Sequence, residues 1–328
     1  MIVLTPSAHG YGHATRCVAL ADELATRGGP VSLVTAAPAS VLGDRHPLLP
    51  WHVDVGFVQH DSLTEDIPAT LALLEERCSE AAIDALASRL AGASGVIVDI
   101  SPPALEAARR AGVPAVAMGN FDWAWVYRHV PALSAWAERF ARWQAPHPAI
   151  QLRPGPDLTG FASVVEGGLL ARSAPPIRVA ERGILVCFGG FGQPNLKSAL
   201  PELPGVTWIF APPLARPVRR DCLFVDEVPF SSLLAGADAL FTKPGYGVLA
   251  EAMAAGTPIL WLDRGSFPEA PYLEAAMRTR GDEKCSFEAT AIARAGGAIL
   301  TRPRPPGRRR DDRARIADLA LSALRCPG

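Results

Sequence analysis

Ala237-Asp238-Ala239-Leu240-Phe241-Thr242-Lys243-Pro244-Gly245-Tyr246-Gly247-Val248-Leu249-Ala250-Glu251 is the stretch whose reading decides the fold. An apolar run of strand length meets a glycine turn, and an alanine-rich helical pattern follows, so the segment reads as strand, turn and helix start. Gly245 and Gly247 let backbone come close to a ligand, and the first N–H groups of the helix, with the positive end of its dipole, favour a phosphate there. Glu251 lies six residues after Gly245, about one and a half turns along, where a carboxylate can accept hydrogen bonds from sugar hydroxyls. The plainer alternative is an ordinary turn whose glutamate only complements the helix dipole.

The same grammar runs through the rest of the chain. Strands are expected at 2–5, 31–35, 95–99 and 115–118, with helices at 13–27, 69–90 and 103–111. Prolines and charges at 172–178 then interrupt the pattern and mark a linker. A second series of strands is expected at 183–188, 207–211, 222–225, 239–242 and 259–262, with a closing helix at 311–324. Alternating strands and helices imply parallel βαβ units. The expectation is an α/β chain of two Rossmann-like, doubly wound parallel-sheet domains, 1–172 and 173–328, facing a cleft, with the closing helix able to pack across both. Ligands of such sheets sit outside the carboxyl ends of the strands, so His9, His13, Asp99 and Asn120 could converge there.

Composition narrows the function classes. The 328 residues are 49% hydrophobic and 20% charged with a formal net charge of -1. That suits two domains with cores of their own, and disfavours nucleic acid or an anionic membrane as the main partner. The proline- and arginine-rich run 302–310 reads as a solvated loop. Six cysteines, scattered and without a CxxC pair, fit a reducing cytoplasm. No secretory signal follows Met1, and no run of about 18 apolar residues suggests a membrane span. Neither half carries GxGxxG after its first strand with an acidic residue about twenty positions on, so a dinucleotide cofactor is disfavoured. The chain also lacks GxxxxGK[ST] and DxD; P-loop hydrolysis and a metal-bridged nucleotide-sugar site are disfavoured in turn, and no metal or cofactor is expected.

With Gly10-Tyr11-Gly12-His13-Ala14-Thr15-Arg16 after the first strand, Asn120-Phe121-Asp122-Trp123-Ala124-Trp125-Val126-Tyr127, the Lys243 to Gly247 turn and Asp263-Arg264-Gly265-Ser266-Phe267-Pro268-Glu269, the sequence resembles glycosyltransferases of the GT-B fold. The narrower likeness is to the glycosyltransferase-like domain that precedes the kinase domain of plant L-arabinokinases; undecaprenyl-muramoyl-peptide (MurG-like) and plant UDP-glycosyltransferases are more distant. The chain departs from the arabinokinase pattern in carrying no sugar-kinase half, and it is short for a GT-B enzyme.

The resemblance implies transfer of a sugar from a nucleotide-diphosphate sugar, UDP first among the candidates, to a small-molecule acceptor without a metal and with inversion. Such a reaction needs a base for the acceptor proton, stabilisation of the leaving diphosphate and contacts that orient the sugar. His13 and Asp99 match the histidine-aspartate dyad of plant UDP-glycosyltransferases. An imidazole can take a proton at neutral pH, and a carboxylate can hold its other N–H. Against this, His13 could simply start a helix, and Asp99 could cap the helix near Pro103.

For the donor, Gly12, Gly189, Gly190 and Gly192 offer backbone to phosphate or sugar, the last three having a tight strand-to-loop turn as the alternative. Gly245, Tyr246 and Gly247 are expected at the diphosphate, with Lys243 either adding its charge there or reaching solvent, and the resemblance implies Val228 for the base. Glu251, Arg264 and Glu269 attend the sugar, with a surface-loop carboxylate the alternative for Glu269. For the acceptor, His9, Asn120, Asp122 and Trp123 are the candidates. Phe121, Trp123, Trp125, Tyr127, Trp136, Phe140 and Trp143 either line its pocket or form helix core. His9, on a loop four residues before His13, is the rival base, and the HxxxH spacing of the two makes no metal motif without a third ligand. A monomer or homodimer is expected. A nucleotide-sugar sensor without turnover, and a hydrolase or epimerase on the same donor, remain alternatives. High Ala, Arg and Pro usage suits a GC-rich coding source, and with it a bacterial secondary-metabolic role.

Overall fold

The computed structural model describes the chain apart from residues 8, 10, 38, 60–63, 189–195, 263–266, 305–311 and 326–328. It divides into two units. The first comprises Met1–His60, Thr64–Leu170 and a returning segment, Asp312–Gly328; the second is Ala171–Asp311.

In the first unit seven strands form one sheet: β1 (Ile2–Pro6), β2 (Val31–Val34), β3 (Leu48–Leu49), β4 (Gly95–Asp99), β5 (Ala115–Gly119), β6 (Pro148–Leu152) and β7 (Ser163–Gly168). Their order is β3-β2-β1-β4-β5-β6-β7, and every pair is parallel. Helices cover both faces, so the central strands are apolar throughout instead of alternating. Successive residues still point to opposite sides: Leu4 and Ile97 join the core under the helix Tyr11–Ala25, while Val3, Val96 and Val98 join Ile83, Leu86 and Leu105 on the other face. Strand order reverses between β1 and β4, where Leu4 stands opposite both Leu33 and Ile97. The carboxyl ends of β1 and β4, at this reversal, are the usual ligand position in such sheets.

The second unit repeats the plan with β8 (Gly183–Cys187), β9 (Thr207–Phe210), β10 (Cys222–Phe224), β11 (Ala239–Thr242), β12 (Ile259–Leu262) and β13 (Glu283–Cys285). Its parallel order is β10-β9-β8-β11-β12-β13, with the reversal between β8 and β11. Lys243 follows β11 directly, so the turn from Lys243 to Gly247 stands at this second switch point. No helix among the described residues is long and apolar enough to cross a membrane.

Two expectations are corrected. The helix expected over 69–90 is two helices, Ile67–Arg77 and Glu80–Leu90, because Ser79 turns extended and its side chain accepts Ala82 N–H at 3.3 Å, starting a new helix. The closing helix, Arg313–Arg325, belongs to the first unit, not to a 173–328 domain. Ile316, Ala317, Ala320 and Leu324 complete the core around Leu4, Val18, Ile97 and Met118. Its docking is set by Asp312, whose N–H donates to Leu169 O and whose carboxylate accepts Leu169 N–H, both at 2.8 Å. Gly168 has φ +100, and a Cβ there would stand 2.2 Å from Asp312 Oδ2, so only glycine fits.

Candidate functional site

His13, Arg16 and Cys17 lie on the helix Tyr11–Ala25 at positions i, i+3 and i+4, one face of its first turns. That face meets the end of β4. His13 Nδ1 is 3.0 Å from Asp99 Oδ1, and Arg16 Nε donates to Asp99 Oδ2 at 2.5 Å. Arg16 Nη2 also donates to Asp99 Oδ1. Asp99 is fully buried, Arg16 and His13 nearly so. Burial by itself would push the Asp99 carboxyl up; the Arg16 guanidinium and then His13 outweigh it and hold the group at about 2. The carboxylate is an anion at neutral pH. Cys17 Sγ is 3.7 Å from Asp99 Oδ2, and burial with that neighbouring anion raises its thiol far above the ordinary range, so it is no nucleophile.

The strand end is shaped to present Asp99. Ile100 takes φ 53, a left-handed conformation costly for a β-branched residue. Ser101, not Asp99, caps the helix Pro102–Arg110, accepting Ala104 N–H at 3.4 Å and donating to Val53 O at 2.7 Å. Asp99 is thus left to His13 and Arg16, which answers the capping alternative. Gly119 on the adjacent β5 makes room: a Cβ there would stand 2.2 Å from Ile100 Cγ2.

The expected acceptor residues are placed otherwise than as an open pocket lining. Asn120 is 4% exposed; its Oδ1 accepts from Arg16 Nη1 and its Nδ2 donates to Pro154 O at 2.6 Å. Asp122 is the N-cap of the helix Trp123–Arg128, accepting Trp125 N–H at 2.8 Å, and burial raises its carboxyl. Trp123 is wholly buried, donates from Nε1 to Ser7 Oγ at 3.1 Å, and packs edge-on against Phe57 and Phe121. Trp136 and Phe140 are buried on the helix Ser134–Gln144, as the helix-core alternative requires. His9 is half-buried, its ring centroid 5.2 Å from that of Trp123, and its Nδ1 accepts Phe57 N–H at 3.4 Å. Gly12 is in the first turn of the His13 helix, and its carbonyl accepts from Thr15 at 3.1 Å.

In the second unit, Gly245 is the extended N-cap of the helix Tyr246–Ala255, without a side-chain cap, and Gly247 is in its first turn. Among the described residues, its two chain neighbours aside, a Cβ on Gly245 would meet no atom within 4 Å. Lys243 and Val228 are half-buried. Tyr246, Glu251 and Glu269 are buried. Glu251 Oε1 accepts Arg172 Nε at 2.7 Å, so the carboxylate expected to meet sugar hydroxyls is ion-paired. Gly189, Gly190, Gly192 and Arg264 lie outside the described residues. Sequence reasoning missed two residues of these clusters. Arg16 carried the helical spacing from His13 as its signal; Arg172, a linker arginine, carried none.

No protein-family model matches the chain. In an alignment that covers 81% of the chain, it is 28% identical to L-arabinokinase from Arabidopsis thaliana, and it spans 28% of that protein's length. The spinosyn forosaminyltransferase SpnP superposes with a TM-score of 0.64 at 16% identity, covering 99% of this chain and 94% of SpnP. Glycosyltransferase VinC, solved with dTDP, superposes at 0.59 and 16% identity, covering 99% of this chain and 95% of VinC. Two parallel sheets, each with its own strand-order reversal, together with these superpositions establish the GT-B fold.

Proposed function

We propose that this GT-B chain is a glycosyltransferase that moves a sugar from a nucleoside-diphosphate donor, UDP or another pyrimidine nucleotide, to a hydroxyl of a small molecule, without a metal and with inversion. One observation carries the reading: His13 Nδ1 lies 3.0 Å from Asp99 Oδ1 at the switch point of the first sheet. An imidazole held by a carboxylate at one nitrogen is oriented to accept a proton at the other. In this reading His13 Nε2 takes the acceptor's hydroxyl proton as the oxygen attacks the anomeric carbon. The bond from that carbon to the diphosphate oxygen breaks on the opposite face, and both its electrons leave with the diphosphate. Asp99 remains ionised and stabilises the imidazolium.

The donor is assigned to the second unit. The helix start at Tyr246 and Gly247, which has no side-chain cap, is suited with Lys243 to the diphosphate, and Val228 to the base. Glu251 and Glu269 are assigned to the sugar and its neighbouring ribose, with Arg172 orienting Glu251. Among the described residues nothing fills the space beside Gly245, which favours a phosphate there over a merely structural turn. VinC, a protein of the same fold, binds dTDP, which supports a pyrimidine diphosphate.

A thermal-shift screen of nucleoside diphosphates and their sugars should find a stabilising donor, since a ligand of the folded state raises its melting temperature. With that donor, mass spectrometry of acceptor mixtures should show a glycosylated product. His13→Ala should abolish transfer while calorimetric donor affinity stays unchanged; an unaffected rate removes the mechanism.

A further inference from the structure

Arg16 takes no part in the transfer step described above, yet it touches every polar member of the first-unit cluster. Nε and Nη2 grip the two oxygens of Asp99, Nη1 donates to Asn120 Oδ1, and Nη2 stands 3.0 Å from His13 Nδ1. Asn120 is fixed from behind by Pro154 O at 2.6 Å. His13 Nδ1 therefore has two neighbours with opposite requirements. Asp99 Oδ1, an acceptor, requires an Nδ1–H; a guanidinium can only donate, and requires a bare Nδ1. With the first partner Nε2 keeps its lone pair and can take a proton. With the second Nε2 carries the hydrogen and can only give one.

Geometry decides between them. Nη2, Oδ1 and Nδ1 form a closed triangle in which the two sides meeting at Nδ1 are each 3.0 Å and the Nη2 to Oδ1 side is shorter. The angle at Nη2 between its two partners is therefore acute, whereas the two N–H bonds of a planar guanidinium nitrogen diverge by about 120°. A hydrogen aimed at Oδ1 leaves the other turned away from Nδ1. The bond from Nδ1–H to Oδ1 meets no such conflict.

We propose that Arg16 is the positioning residue of this site: by clamping both oxygens of Asp99 it aims Oδ1 at His13 Nδ1 and so keeps the lone pair of His13 on Nε2. The use of that lone pair in sugar transfer rests on the proposed function; the tautomer itself does not. A side-on fork fixes the carboxylate's rotation as well as its charge, which a lysine, holding one point, does not. Asn120, with Pro154 O behind it, holds the guanidinium plane from its far end.

The test reads the ring nitrogens of His13 by 15N-detected NMR on the full chain, at alkaline pH, in the wild type and in Arg16→Lys and Arg16→Gln. The wild type should show a protonated Nδ1 and a bare Nε2, and both variants should mix the two tautomers. Arg16→Gln leaves Asp99 buried without its ion partner; should it fail to fold, Arg16→Lys carries the test. Once a donor is known, kcat of Arg16→Lys should fall on the order of 10- to 100-fold while donor Kd holds within about two-fold, the split expected of a misaligned base. A wild type protonated at Nε2, or an Arg16→Lys spectrum identical to wild type, overturns the proposal. Tautomers shifted as expected, with no transfer in the wild type, sink the transfer reading and uphold the role of Arg16.

Discussion

Asp99 meets His13, Arg16 and Cys17 in the first-unit site, and its protonation is a stability statement. Its folded pKa, about 2, lies below the ordinary value of 3.8. The stabilisation is thus fully present above the unfolded value and is lost as pH falls from about 4 towards 2. A shift of this size corresponds to about 2 kcal/mol. At neutral pH Asp99→Asn should cost on the order of 3 kcal/mol, because it leaves the Arg16 charge buried and uncompensated. The gap between wild type and variant should narrow by about 2 kcal/mol across that acid window, read from urea midpoints at a series of pH values. A constant gap would mean the carboxylate is not held by its partners. At this scale the sequence was informative about placement, since the turns after β1 and β4 bring His13 Nδ1 within 3.0 Å of Asp99 Oδ1. It did not show which polar side chains are partly spent internally, as Asn120 is in accepting from Arg16 and Asp122 in accepting Trp125 N–H. Such spending depends on partners 104 residues away in the case of Asn120, which no local pattern records.

Elements tell a related story through the turn that ends β4. Ile100 holds its left-handed φ of 53 because β5 presents Gly119 where its side chain must lie. Gly119→Ala puts a methyl into Ile100 Cγ2 and the Phe121 carbonyl, the latter 2.7 Å away and unable to swing aside. Overpacking of this kind costs about 1–3 kcal/mol, and here it also displaces the residue next to Asp99. The variant should melt lower and lose transfer more than its stability loss explains; a stable variant with full activity would show that the turn tolerates rearrangement. Buried strands such as β1, β4 and β11 were readable because parallel strands covered on both faces are continuous apolar runs. β3, two residues long, and β7, with Val164 and Val165 both exposed, offered no such run. The break at Ser79 was hidden because alanine-rich helical periodicity continues on both sides of it.

For the whole molecule, the order of the chain is not the order of the units. The sequence ends in an amphipathic helix that adjoins the second strand series, and proximity alone assigned it there. The structure returns it to the first unit because its apolar stripe completes a core that the strands and the helix Tyr11–Ala25 leave open. Gly95 illustrates the fit: a Cβ at this start of β4 would lie 2.7 Å from Leu324 Cδ1, so the strand is recessed where the helix docks. Ile316, wholly buried in that core, is the sharpest probe. Ile316→Ala should cost about 2–5 kcal/mol, and the loss should be confined by unit, not by sequence distance. In hydrogen-exchange mass spectrometry, peptides covering β1 and β4, some 200 to 300 residues upstream, should exchange faster. Peptides covering β8 and β11, much closer in sequence to the mutation, should keep wild-type protection, because local opening follows packed cooperative units. Faster exchange in β8 and β11 with β1 and β4 unchanged would return the helix to the second unit and undo the assignment.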